Sequence, residues 1–195
     1  KKSPEDPSKV QEEIIQHLQK KYDRKFEVVR EVEYRHSSKY FVLEVRPKEN
    51  RCVTLAGFKY INGKLEDNYP SQLWDFQLKK EIKPFIDEMY PPQNHWDIYM
   101  NVLGTETLYE EIDNKNIPSY QEIRKQYPDK KSLKLKIYLF KDIDEDNMNE
   151  ELEKIYRLIQ LFREKGIQKY SMNIFYYEER LMEEKGRDIK VGAEF

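Results

Sequence analysis

The acidic run Asp142-Ile143-Asp144-Glu145-Asp146, with Glu153 twelfth counting Asp142 as one, places carboxylates at the first, third, fifth and twelfth places of a calcium loop. A hard divalent cation takes oxygen ligands at that spacing. Position six is Asn147 where the sharp turn calls for glycine, and position eight is Asn149 where an apolar anchor belongs. Acidic groups ahead of a helix also stabilise its positive end with no ion present. A capping segment is therefore the preferred reading, with calcium at Asp142, Asp144, Asp146 and Glu153 as the weak alternative.

A second constellation opens the stretch Glu66 to Tyr90. Tyr69 and Trp74 offer rings on which a ligand could stack, and Asp67 a carboxylate to orient it. Aromatic residues that begin an amphipathic helix more often belong to a core. Asp67, Tyr69 and Trp74 are accordingly candidate ligand contacts, and no catalytic residue is assigned.

The remaining reactive side chains are scattered. His17, His36 and His95 fall on a helix, a turn and a loop, with no metal-ligand pair at helical spacing. Cys52 sits beside Val53, Thr54 and Leu55 and reads as a small buried hydrophobe of a strand. Arg30 beside Glu44 or Glu33 could be a buried ion pair or an anion site, although a sheet-margin arginine with its head in water is preferred. Lys134, Lys136 and Tyr138 alternate in a way that suits single-stranded nucleic acid, but the charge balance speaks against it. The chain has six glycines and no nucleophile elbow, phosphate loop or dinucleotide fingerprint. No cofactor is expected.

The elements that must hold these residues follow from periodicity. Ser3-Pro4 and Asp6-Pro7 read as helix starts. Val10, Ile14, Ile15, Leu18 and Tyr22 then recur at helical spacing. From Phe26 the period becomes two, predicting strands over Phe26 to Arg35, Tyr40 to Arg46 and Cys52 to Ile61. Asn62-Gly63 predicts a type I′ turn into a fourth strand. A long helix follows, with Trp74, Leu78, Ile82, Phe85, Ile86 and Met89 on one face and a bend expected near Lys80 to Lys83, ahead of Pro84.

Beyond Pro91-Pro92, strands are predicted around Trp96 to Val102, Leu133 to Leu139 and Tyr170 to Tyr177. Between them fall a short helix at Pro118 to Tyr127 and a longer one capped by Asn149 or Asp146. Leu152, Ile155, Tyr156, Ile159 and Phe162 are its expected buried stripe, with Gly166 its stop. The last strand carries large groups on both faces and reads as central or sandwiched. The class is α+β, helices packed on mainly antiparallel sheet in two closely associated subdomains. Residues 1–92 hold a helix, an antiparallel meander and a long helix, and residues 93–195 a β-α-β-α-β subdomain with a charged tail.

Composition sets the outer limits. Charged residues reach 37% and hydrophobic ones 38%, which alone would suggest disorder. Fifteen Tyr, nine Phe and two Trp supply enough burial to argue for a folded domain with a charged exterior. A net charge of −2 with interspersed signs provides no field to recruit nucleic acid. One cysteine excludes an intrachain disulfide framework, and no run of apolar residues is long enough to span a membrane. The polar start, without an initiator Met, reads as a mature or truncated end.

The phrases Leu18-Gln-Lys-Lys-Tyr-Asp-Arg-Lys-Phe-Glu-Val28, Asp67-Asn-Tyr-Pro-Ser-Gln-Leu-Trp74 and the helix Glu151 to Lys165 running into Tyr170-Ser-Met-Asn-Ile-Phe-Tyr-Tyr177 carry a resemblance. Together the chain resembles a loose group of uncharacterised small exported proteins and lipoproteins of Gram-positive bacteria. The resemblance lies in scaffold residues and implies a lipid-anchored location on the extracellular side of the membrane. Neither a lipobox nor its cysteine is in this sequence, so a lipid anchor would lie upstream. The expected function is a non-catalytic surface module binding an unknown protein or small ligand at the cell envelope. Two alternatives are a hydrolytic enzyme with an unfamiliar carboxylate or histidine site, and an immunity-type or mobile-element protein that masks a partner.

Overall fold

The Asp6 side chain accepts a hydrogen bond from the Ser8 amide at 3.0 Å, and Pro7 supplies a first helical residue that needs no donor. Helix α1 (Pro7–Tyr22) therefore starts at the second of the two proline signals. It ends at Asp23, whose φ of 54° turns the chain into strand β1 (Phe26–Arg35). The computed structural model describes residues 4–90, 95–102, 111–127 and 131–181, of which 95–102 and 131–132 are described by backbone alone. Pro91-Pro92, Gly104, Pro128 and the tail after Leu181 lie outside these residues.

Strands β1, β2 (Tyr40–Pro47), β3 (Leu55–Tyr60) and β4 (Leu65–Asp67) form an antiparallel sheet in that order. Alternation is clearest in β2, where Phe41, Leu43 and Val45 are buried and their neighbours half-exposed. β3 starts three residues later than expected, which leaves Cys52 exposed in the turn before it. Between β3 and β4 the chain turns through Ile61-Asn62-Gly63, where only Gly63 has a positive φ, 83°. The Gly63 amide donates to Tyr60 O and the Tyr60 amide to Lys64 O, both at 2.9 Å. That is a three-residue loop closed by a left-handed glycine, in place of the expected type I′ turn.

Helix α2 (Tyr69–Met89) runs unbroken through Pro84. Trp74, Leu78, Ile82, Ile86 and Met89 are buried, while Phe85, expected on the same face, is 40% exposed. Strand β5 (His95–Val102), helix α3 (Tyr120–Gln126), strand β6 (Lys131–Phe140), helix α4 (Glu145–Glu164) and strand β7 (Tyr170–Tyr177) complete the chain. In the second sheet, ordered β5-β6-β7, β5 pairs antiparallel and β7 parallel to β6. A parallel pair needs a crossover, and α4 supplies it.

The protein is thus α+β, with helices on mainly antiparallel sheet. It forms two compact units, Lys1–Phe76 with Gly104–Ile123, and Gln77–Leu103 with Arg124–Phe195. Helix α2 belongs to the first through Phe76 and to the second from Gln77. No helix among the described residues is long and apolar enough to cross a membrane.

The first unit's core lies between α1 and the sheet. Val10, Ile14, Leu18 and Tyr22 meet Phe26, Phe41, Leu43, Val45, Leu55 and Tyr69. In the second unit Leu133, Leu135, Ile137 and Leu139 form the buried face of β6. Helix α4 begins at Asp144, which accepts from the Asp146 and Asn147 amides while the Asp144 amide donates to the Asn147 side chain. This reciprocal cap precedes the expected Asp146 and Asn149. The helix ends as expected at Gly166, φ 66°, with Gly166 N bonded to Arg163 O and Ile167 N to Phe162 O. Its buried residues are Glu151, Leu158, Leu161 and Phe162. Leu152 and Tyr156 are exposed, because the sequence's apolar arc is wider than the stripe the sheet covers.

Candidate functional site

Asp67, at the end of β4, has a side chain with no exposed surface. Its Oδ1 accepts from the Tyr22 hydroxyl at 2.6 Å and the Tyr69 amide at 3.0 Å, and its Oδ2 from Lys21 Nζ at 2.7 Å. Tyr69 is buried edge-on against Tyr22 and Phe26, with ring centroids 4.9 and 5.8 Å away. Trp74 is fully buried and its Nε1 donates to Pro118 O at 2.8 Å, which ties segment 111–123 to the first unit. Asp67 and Tyr69 are brought together, but as a buried knot that fastens α1 to the start of α2. None of the three side chains offers a surface on which a ligand could stack.

Lys59 does the same work at the other end of α1. It occupies the inward position of β3 and donates to Glu5 and Glu13, each at 2.6 Å. These bonds, Glu13 first, raise the Lys59 pKa above the ordinary lysine value. The sequence signal was a lysine in phase with Leu55 and Gly57, and the reading above missed it.

Asp144 is a helix cap, and Asn147 Nδ2 donates to Asp142 O at 2.9 Å. Asp142, Asp146 and Glu153 are exposed. Among the described residues no three His, Cys, Asp or Glu side chains gather as a metal site would require. His17 is half-buried on α1, where burial pushes its pKa down against the pull of Asp67. His36 packs its ring against Tyr34, and His95 opens β5 and is not in a loop. Arg30 pairs with Glu44 at 3.1 Å with its side chain 67% exposed, the solvated arrangement preferred from sequence.

In the second unit, buried Glu151 on α4 accepts from three groups. Its Oε1 accepts from Lys141 and Lys154, both at 2.9 Å, and its Oε2 from the Tyr176 hydroxyl at 3.2 Å. Lys154 Nζ also lies 5.7 Å from the centroid of the Tyr90 ring. Burial alone would raise the Glu151 pKa, but the two lysines together outweigh it and hold the carboxyl below its ordinary range. Tyr176 is pushed up to about 12 by burial first and Glu151 second. The Tyr90 hydroxyl is buried without a hydrogen-bond partner, and burial raises its pKa too. A carboxylate held this low, with both oxygens engaged, is poorly suited to exchange protons near neutral pH. The cluster anchors α4 to β7.

The other face of this sheet is exposed at Lys134, Ser171, Phe175 and Tyr177 and buried at Phe140. Along β6 it carries Lys134, Lys136, Tyr138 and Phe140, with β7 placing Ser171, Asn173, Phe175 and Tyr177 beside them in register. Phe175 and Tyr177 are 40% and 39% exposed. Ring centroids lie 5.1 Å apart for Tyr138–Phe175, 6.4 Å for Tyr138–Tyr177 and 5.6 Å for Phe140–Tyr177, with interplanar angles of 12°, 19° and 28°. Four rings thus form a stacked row across two strands. Among the described residues β7 is the edge of its sheet, not the central strand expected, with a helix on one side and this row on the other. The alternation of Lys134, Lys136 and Tyr138 was the legible part of the signal; that Phe175 and Tyr177 would stay exposed was not.

No protein-family model matches the chain, and no curated protein matches it. Among solved structures, the chain is similar to a crystal structure of a DUF5037 family protein from Ruminococcus gnavus ATCC 29149. The two share 17% sequence identity at a TM-score of 0.55, over 90% of this chain and 78% of that one. A likeness at this identity shows the fold alone.

Proposed function

We propose that the chain is a non-catalytic binding module whose partner-facing surface is the aromatic face of the second sheet. One observation carries this reading: a row of four aromatic rings on one sheet face, with Phe175 and Tyr177 well exposed and Phe140 buried at one end. Apolar area of that kind is costly to leave in water and commonly marks an interaction surface. The contacts expected at Asp67, Tyr69 and Trp74 move to Tyr138, Phe175 and Tyr177. An immunity-type role is one form of this reading, in which the bound partner is masked.

A photo-crosslinking residue at position 175, with a control at exposed Ile61 in the first unit, tests it in producing cells. Adducts should form from position 175 and not from position 61. Equal yields, or none from either, would refute the assignment.

The proposed compartment is the extracellular side of the membrane with a lipid anchor. Its support is the scaffold resemblance. Protease added to intact cells should degrade the protein, whereas protection until lysis would place it inside.

A further inference from the structure

We infer that the partner of the aromatic face is a protein segment that sets apolar side chains against the ring row and a carboxylate against Lys134. This rests on the binding reading above and adds the chemistry of the occupant.

The orientation of the rings disfavours one class of ligand. Rings lying side by side in one plane cannot bring their centroids closer than roughly 6 Å without their edges clashing. Tyr138 and Phe175, nearly parallel at 5.1 Å, are therefore offset-stacked, and Phe140 and Tyr177 more loosely so at 5.6 Å and 28°. Each ring's neighbour lies along the row, so ring edges are the groups turned outward toward a partner, and a free face is left only at the ends of each stack. Nucleobases bind by stacking on free ring faces. Ring edges instead favour a partner ring met edge to face, or branched aliphatic groups set between them. The chain's net charge of −2 gives a polyphosphate no long-range attraction.

Charge fixes the other end of the segment. Lys134 and Lys136 continue the row along β6, where same-face residues are about 6.6 Å apart. The β5 register partner of Lys136 is Asp97, whereas those of Lys134 are Tyr99 and Ser171, neither of them acidic. Lys134 is exposed and has no acidic partner among the described residues. It is therefore the group that an outside carboxylate would meet. From Lys134 to Phe140 the face runs about 20 Å, the length of six extended residues.

A random-sequence peptide library displayed on phage and selected on the full chain supplies the probe. Selected peptides are then synthesised and measured by fluorescence polarisation, with a labelled oligothymidylate in parallel. Peptides joining aromatic or branched residues to Asp or Glu should emerge, and Phe175→Ala should weaken them about tenfold or more. Lys134→Glu should weaken them as well, and exchanging the peptide's acid for lysine should restore binding to that variant. Circular dichroism checks each variant's fold, and should Phe175→Ala disturb it, the charge exchange carries the test. Peptides that need Phe175 and Tyr177 but ignore Lys134→Glu overturn the inference while the binding face stands. Peptides indifferent to all three positions overturn both. Oligothymidylate binding that depends on Phe175 overturns the inference in favour of nucleic acid.

Discussion

Asp67 accepts from the Tyr22 hydroxyl, the Tyr69 amide and Lys21, and two of those donors are buried with it. Lys21 can swing into water when the carboxylate is removed, but the Tyr22 hydroxyl cannot. Asp67→Ala should therefore cost about 3 kcal/mol, most of it from buried donors left unsatisfied. Asp67→Asn keeps an acceptor for both and should cost roughly half as much. Urea denaturation of the three proteins gives the order, and equal losses for Ala and Asn would mean the charge, not the acceptor, carries the effect. Cys52 provides a second check at this scale. It is exposed in a turn, so a thiol reagent should label it in the native protein as fast as in the urea-unfolded chain. A strongly retarded native reaction would restore the buried-strand reading.

At the scale of elements, α1 comes close against its sheet at Gly57. A Cβ there would sit 2.4 Å from Ile14 Cγ2, so an added methyl must displace the helix or the strand. Gly57→Ala should cost about 2 kcal/mol by overpacking. Ile14→Ala should cost about 3 kcal/mol by leaving a cavity. The double variant should lose clearly less than the sum, because the new methyl enters the space the isoleucine left. Simple additivity would show that the two positions do not meet. The elements most legible in the sequence were those with one dry face and one wet face. α1 and β2 place Val10, Ile14, Leu18, Phe41, Leu43 and Val45 where their spacing put them. Periodicity failed where burial and backbone pairing part company. Val53 and Leu55 are buried at strand spacing, yet the strand begins only at Leu55. It failed also where apolar residues exceed what the fold covers, as at Leu152 and Tyr156 of α4. The aromatic row had the same ambiguity: a strand with rings on both faces does not say which face stays exposed. The knot at Asp67 was legible as a group but not as a role, since a carboxylate beside aromatic residues fits a ligand site and a buried clamp equally well.

For the whole molecule, the heavy charge content divides into pairs of different kinds. Arg30–Glu44, Arg35–Glu33, Lys83–Asp87 and Arg157–Glu88 are solvated, and such pairs contribute about 1 kcal/mol or less each. Raising salt to about 1 M shortens the screening length to roughly 3 Å and should weaken them, shifting the thermal midpoint little. Glu151 behaves otherwise, because it is buried between Lys141 and Lys154 with Tyr176 on its second oxygen. Its folded pKa is depressed, so the stability it contributes is fully present above the unfolded value of about 4.3 and is lost as pH falls through the lower folded value. Tyr176 has the opposite sign. Raised to about 12, its contribution holds below about pH 10 and fades as pH climbs from there. Thermal midpoints of wild type and Glu151→Gln at neutral pH, in high salt and below about pH 4 separate these terms. Wild type should lead the variant at neutral pH, keep most of that lead in high salt, and lose it in acid as the carboxylate takes up its proton. If the two proteins instead fall in parallel through the acid range, Glu151 is not the group that couples the second unit's stability to pH.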